Sequence, residues 1–370
     1  MIRVLAGLVL LMCAGCAHNL PDDDVPNRRL TGSLAQAYVD MNGTFFPPNW
    51  ADRDIVGRRA VELNHSLFSA LRDPVLQREN ILEPERAWLD ELTGMSADKK
   101  RVFIFLVGFN TTQADSTPDL QAMQDAFEIS PDDLSIRFFW DGHDARFVID
   151  AARIWFWGTG SSQVAGQHGL RRLINAVSAP DREVVIVSYS RGASVVLAAL
   201  SDPAYDPVFK DKMLGFDYLV PAGEAFFSPP ALSPGPIRVL MLAPAIGTPD
   251  FWAPRTGDGD PVFRHFPCRL ESVRYTINRR DYVLNKLWVG LAGDLNPTDL
   301  GATRDAGTAL ERRYGFLEGY EVEGRVGHSV PGYLGDPAFA KMARDSGLQL
   351  RGQRAPVTPA PTARDELCPA

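Results

Sequence analysis

The sequence predicts an α/β architecture in which a mainly parallel central sheet is covered by helices on both faces. Three observations carry that expectation. Runs of apolar and β-branched residues without polar interruption, such as V-F-I-F-L-V at 102–107 and V-V-I-V at 184–187, read as strands buried on both faces. Segments with apolar residues at helical spacing lie between several of these runs, and such alternation predicts right-handed crossovers within a parallel sheet. The chain has 370 residues, enough for one large decorated domain or two small ones, and can bury an extensive core.

In chain order, the first element is an export signal: one arginine, a short apolar run from Val4 to Met12, then small residues ending at Cys16. The apolar run is too short to span a bilayer. The C-A-G-C sequence at 13–16 resembles the lipobox of bacterial lipoproteins, which implies cleavage after residue 15 and acylation of Cys16. Cys13 stands where the lipobox usually has leucine, and a plain cleaved signal is the alternative. Ala17, rather than aspartate, favours the outer membrane, with the protein facing the periplasm. Residues 16–31 are polar and punctuated by proline, suiting a tether. Residues 32–100 read as a helical N-terminal extension, with A-W-L-D-E-L at 87–92 its clearest amphipathic piece. Nothing in it proposes a chemistry.

The core of the prediction spans 101–351. Strands are expected in R-V-F-I-F-L-V-G-F-N (101–110), L-S-I-R-F-F-W (134–140), E-V-V-I-V-S-Y-S (183–190), P-I-R-V-L-M-L-A-P-A (236–245), S-V-R-Y-T-I-N (272–278) and Y-E-V-E-G-R-V (320–326). Two stretches interrupt the pattern: the aromatic, glycine-rich run at 154–169, with Trp155, Phe156 and Trp157, and the proline-rich segment from Pro203 to Pro236. Each reads either as a pocket cover or as core packing. The tail at 352–370 is expected to be flexible.

Sheets of this kind carry their sites at the carboxyl ends of the strands. There, V-V-I-V-S-Y-S-R-G-A-S (184–194) runs from a strand straight into a helical pattern, so the chain reverses tightly with Ser190 at the apex. Such a turn needs small residues two before and two after the apex, and Ser188 and Gly192 supply them. A serine there is either a nucleophile or an ordinary turn residue. A nucleophilic serine needs a base, and the base an acid. Of six histidines, His18 falls in the tether and His65 in the extension; His143, His168 and His265 are less well placed than His328, which follows the last expected strand. Asp281, directly after a strand, is the leading acid, with Asp250 one strand earlier as the alternative; Asp281 also suits a helix N-cap. The backbone N–H groups of Arg191 and Phe109 are the candidate oxyanion donors, Gly108 letting the loop approach closely.

Taken together, V-F-I-F-L-V-G-F-N-T-T, R-F-F-W-D-G, V-I-V-S-Y-S-R-G, I-N-R-R-D-Y-V-L and G-H-S resemble the α/β-hydrolase superfamily. They are most similar to a bacterial group of uncharacterised predicted esterases with H-G-F-N and H-S-M-G signatures. The match runs in order from Arg101 to Tyr333. It implies Ser190 as nucleophile, Asp281 as acid, His328 as base and Phe109 as an oxyanion donor. The chain departs from the pattern at Val107, Ser188, Tyr189 and Arg191; Arg191 places a cation beside the serine, aimed either at an anionic substrate or away from it.

The expectation is therefore a lipid-anchored envelope serine hydrolase that cleaves a carboxylic ester of unspecified identity. An acyltransferase with the same residues, or a non-catalytic lipoprotein using the fold as a scaffold, are the alternatives. No cofactor is called for, and no paired His or Asp motif at ligand spacing proposes a metal. A net charge of −8 without a basic run excludes nucleic acid as the natural partner. The mature chain would keep Cys268 and Cys368, which an oxidising envelope permits to pair; a bridge closing roughly 100 residues contributes about 4–5 kcal/mol in the chain-entropy account.

Overall fold

In the computed structural model, residues 16–145, 160–202, 231–232, 235–253, 262–285 and 298–353 are described. The apolar runs pair side by side. Ile186 stands opposite Ile104 on one neighbouring strand and Val239 on the other, both in parallel register. Eight strands share the sheet: β1 (Arg28–Thr31), β2 (Leu34–Val39), β3 (Arg101–Leu106), β4 (Asp133–Trp140), β5 (Glu183–Tyr189), β6 (Ile237–Leu242), β7 (Leu270–Ile277) and β8 (Leu317–Glu321). Their spatial order is β1-β2-β4-β3-β5-β6-β7-β8. Only β1 and β2 run antiparallel; every other neighbouring pair is parallel. This is an α/β-hydrolase fold.

The two-residue period of a strand divides its side chains between two cores. Val184 and Ile186 enter one, with Ile104, Ile136 and Val239; Val185 and Val187 enter the other, with Phe103, Phe105 and Leu240. Helices α1 (Glu83–Ser96), α3 (Arg171–Val177) and α4 (Gly192–Leu200) close the first core through Leu92, Ile174 and Val196. Helix α2 (Gln113–Asp125) closes the second through Leu120 and Met123. Two C-terminal helices, α5 (Val330–Leu334) and α6 (Pro337–Asp345), join it through Val330, Tyr333 and Phe339. With each fully buried Val, Leu, Ile or Phe contributing about 1.5–3 kcal/mol, these two layers dominate the stability.

Three sequence expectations need correction. Residues 16–31 do not form a tether: Asn19 and Leu20 are buried, and β1 pairs with β2. The helical extension is present between Arg58 and Ser96, but it starts later than expected, because L-A-Q-A-Y-V at 34–39 is a sheet strand parallel to β4. Its alanines and glutamine carry weak strand propensity; the partner strand supplies the pairing. The last strand ends at Glu321 rather than continuing to residue 326, since the final ladder bond, Val322 N–H to Ile277 O, uses up β7. The stretch from Glu323 to His328 becomes a loop instead. Trp155, Phe156, Trp157, most of Pro203–Pro236, and Cys368 lie outside the described residues.

Candidate active site

Ser190 directly follows β5 with φ of 54°, in the left-handed region that non-glycine residues adopt only at a cost of about 1–3 kcal/mol. The surrounding backbone holds it there. Its N–H donates to Leu242 O at 2.9 Å, and its carbonyl accepts from Ala245 N–H at 3.1 Å. The turn leaves no room for larger neighbours: a Cβ on Gly192 would lie 2.9 Å from Val107 O, and Ser188 is wholly buried. The loop after β3 crosses equally close. A Cβ on Gly108 would stand 3.1 Å from Ser190 Oγ and 3.0 Å from the Arg191 nitrogen.

The loop after β8 brings in His328, followed by Ser329, whose hydroxyl caps α5 by accepting from Gly332 N–H. His328 Nε2 lies 3.1 Å from Ser190 Oγ, and its Nδ1 lies 2.7 Å from Asp281 Oδ2. Asp281 is fully buried and divides its oxygens between two tasks. Oδ1 accepts the N–H groups of Val283 and Leu284, capping the turn after β7, while Oδ2 faces the imidazole. A residue not singled out from the sequence completes the row: the Tyr333 hydroxyl on α5 donates to Asp281 Oδ2 at 2.7 Å and accepts from Asn278 Nδ2 at 3.1 Å. Burial, reinforced by the Asp281 charge, pushes the Tyr333 hydroxyl far above its ordinary range, so it remains a donor. Its only signal in the sequence is its place five residues after His328.

Ser190 and His328 open into a cleft of about 400 Å³ lined also by Val107, Phe109, Asn110, Tyr189, Tyr282 and Val283. Tyr189 packs its ring 5.1 Å from that of His328. Asp119, also on the wall, has its carboxyl raised by burial. The loop carrying the Phe109 amide is anchored despite the valine at 107: Trp140 Nε1–H donates to Val107 O at 2.9 Å, and Asn110 N–H donates to His143 O at 3.0 Å.

Other candidates are placed elsewhere. The Arg191 guanidinium turns away from the cleft into the protein, donating to Ala245 O at 2.8 Å and pairing with Asp250 at 3.6 Å. Asp250 therefore serves Arg191 and the turn at Gly247, whose N–H it accepts, and not His328. His168 and His265 do not line the cleft. Cys16 pairs through its backbone with Ala145, and Cys268 is exposed.

No protein-family model and no curated protein sequence matches the chain. Among solved structures it is similar to esterase 2 of Thermogutta terrifontis in its apo form, at 12% identity over 68% of this chain and 83% of that one, with a TM-score of 0.33. The same esterase phosphorylated by paraoxon and phosphonylated by cyclosarin matches at 12% identity over 68% of this chain and 82% of the other, with TM-scores of 0.32 and 0.33.

Proposed function

We propose that this protein is a serine hydrolase that cleaves a carboxylic ester through an acyl-enzyme, with Ser190 as nucleophile, His328 as general base and acid, and Asp281 as the orienting acid. The unbroken hydrogen-bonded row Ser190–His328–Asp281, opening into a cleft at the serine end, carries the reading. His328 Nε2 takes the serine proton as Oγ attacks the ester carbonyl carbon, and Asp281 stabilises the imidazolium that results. The Arg191 and Phe109 amides receive the developing oxyanion. Collapse expels the alcohol, protonated by His328. Water then attacks the acyl-enzyme, giving one proton to His328, which returns it to Ser190 Oγ as the carboxylic acid leaves. Apolar walls of Val107, Phe109 and Val283 suit a short acyl chain.

Release of p-nitrophenol from a short-chain ester tests this assignment. Ser190→Ala and His328→Ala each lower turnover by about 10³-fold or more, and the double variant is hardly worse, because a base without its nucleophile has nothing to activate. Full activity in His328→Ala contradicts the assignment.

We further propose export and acylation at Cys16, on the strength of the C-A-G-C motif. His18 and Asn19 are docked on the domain, so an acylated Cys16 holds the protein against the membrane surface rather than on a leash. Cys16→Ala then moves the protein from the membrane fraction to the soluble periplasm; unchanged membrane retention argues against acylation.

A further inference from the structure

Three of the chain's six histidines meet away from the cleft, around a single carboxylate. His18, from the segment before β1, places Nδ1 at 2.5 Å from Oδ2 of Asp141, in the loop after β4. The ring of His143, two residues further on, lies 4.9 Å from that of His18. Ligand-capable atoms of His18, Asp141 and His143 all fall within 4.8 Å of one another. On the outer side, His65 Nδ1 lies 2.7 Å from His18 Nε2.

Packing alone gives no reason for this arrangement. The Asp141 and His143 side chains are buried, and that of His18 is 5% exposed, so polar groups have been taken out of water without an apolar gain. Two of the histidines also sit on strained backbone: φ is 65° at His65 and 60° at His143, where glycine would be relaxed. Ser190 is in the same left-handed region, and strain of this kind gathers at functional positions.

The surroundings orient the carboxylate as outer partners of metal ligands do. Asp141 Oδ1 accepts the Asn19 N–H at 2.8 Å and the His143 N–H at 3.3 Å, which leaves Oδ2 turned toward the imidazoles. Asp40, fully buried nearby, fixes the turn that carries His65 by accepting the Leu67 N–H at 3.0 Å. Imidazole nitrogens with one carboxylate form a donor set for zinc and its transition-metal neighbours; magnesium and calcium prefer oxygen alone.

We propose that His18, Asp141 and His143, with His65 beside them, form a binding site for a divalent transition-metal ion of the zinc class. The ion joins the segment at residue 18 to the loop after β4. That loop supports the cleft: His143 O accepts the Asn110 N–H, and a Cβ on Gly142 would lie 2.8 Å from the Phe109 Cα. The role is structural and independent of whether Ser190 is a nucleophile. The four side chains are scattered over more than 120 residues, as the 123-residue separation of His18 and Asp141 shows, so no local ligand spacing signals them.

Equilibrium dialysis of chelator-treated protein against zinc, with cobalt as the spectroscopic probe, tests the site. The expected result is one equivalent per chain, with affinity lowered about 100-fold in His18→Gln and in His143→Gln and retained in Ser190→Ala. In the unaltered protein, cobalt gives the visible absorption of a nitrogen- and oxygen-ligated ion, and one equivalent of zinc abolishes it. Absence of stoichiometric zinc binding, binding unchanged in both glutamine variants, or a cobalt spectrum that zinc does not displace overturns the proposal.

Discussion

Among the described residues, two His–Asp pairs have nearly equal separation, His328–Asp281 at 2.7 Å and His18–Asp141 at 2.5 Å, both beyond the carboxyl ends of sheet strands. What differs is the second nitrogen of each imidazole. His328 Nε2 faces a serine hydroxyl on the wall of an open cleft, where a proton can pass to a group that reacts. His18 Nε2 faces another imidazole, away from that cleft, in a group suited to hold a cation. An imidazole beside a carboxylate is thus not yet a catalytic device; the third partner and access to substrate decide its use.

Burial electrostatics separate the pairs as well. Burial works against charge on both members of the second pair, yet is outweighed: the Asp141 charge and hydrogen bond leave the His18 pKa raised, and those of His18 leave the Asp141 pKa lowered. At the cleft, Asp281 instead receives a neutral phenol, Tyr333, in addition to its imidazole.

Substitutions along the Ser190 row sharpen this contrast, beginning with the charge on Asp281. Asp281→Asn keeps the shape but loses the charge that stabilises the imidazolium, and ester turnover falls by about 10³-fold. A smaller loss is expected at the far end of the row. Tyr333→Phe removes one hydrogen bond to a charged acceptor and lowers kcat by about tenfold, with KM nearly unchanged; a change confined to KM would assign Tyr333 to binding instead. Asp250→Asn gives the least effect on turnover, within about tenfold. Its cost appears in thermal unfolding, as a lower Tm, because buried Arg191 loses its partner charge. An inactive Asp250→Asn with an active Asp281→Asn reverses the assignment of the acid. Circular dichroism establishes native folding in each variant.

Legibility in the sequence followed how local each signal is. Strands β3 and β5 announce themselves through unbroken apolar runs, as at 184–187, while β4, β6 and β7 keep apolar runs interrupted by single polar residues such as Arg137 and Arg238. Ser190, Asp281 and His328 were legible as neighbours for a related reason: each follows a sheet strand, Ser190 directly and Asp281 and His328 by a loop, and a parallel sheet gathers those ends on one edge. Strand β2 was not legible, since L-A-Q-A-Y-V is made a strand by β4 and not by its own propensity. Tyr333 and the histidine cluster escaped notice because their contacts cross 52 and 123 residues of sequence. The direction of the Arg191 side chain depends on Asp250 and the Ala245 carbonyl, which only the folded chain brings near it.

The central claim, that His328 makes Ser190 a nucleophile, is tested most directly by covalent labelling with a fluorophosphonate probe, in which Oγ attacks phosphorus and fluoride leaves. The account predicts a single labelled peptide containing Ser190 in the unaltered protein, none in Ser190→Ala, and labelling slowed about 10³-fold in His328→Ala. Equal labelling of Ser190→Ala, or no labelling of the unaltered protein, contradicts it.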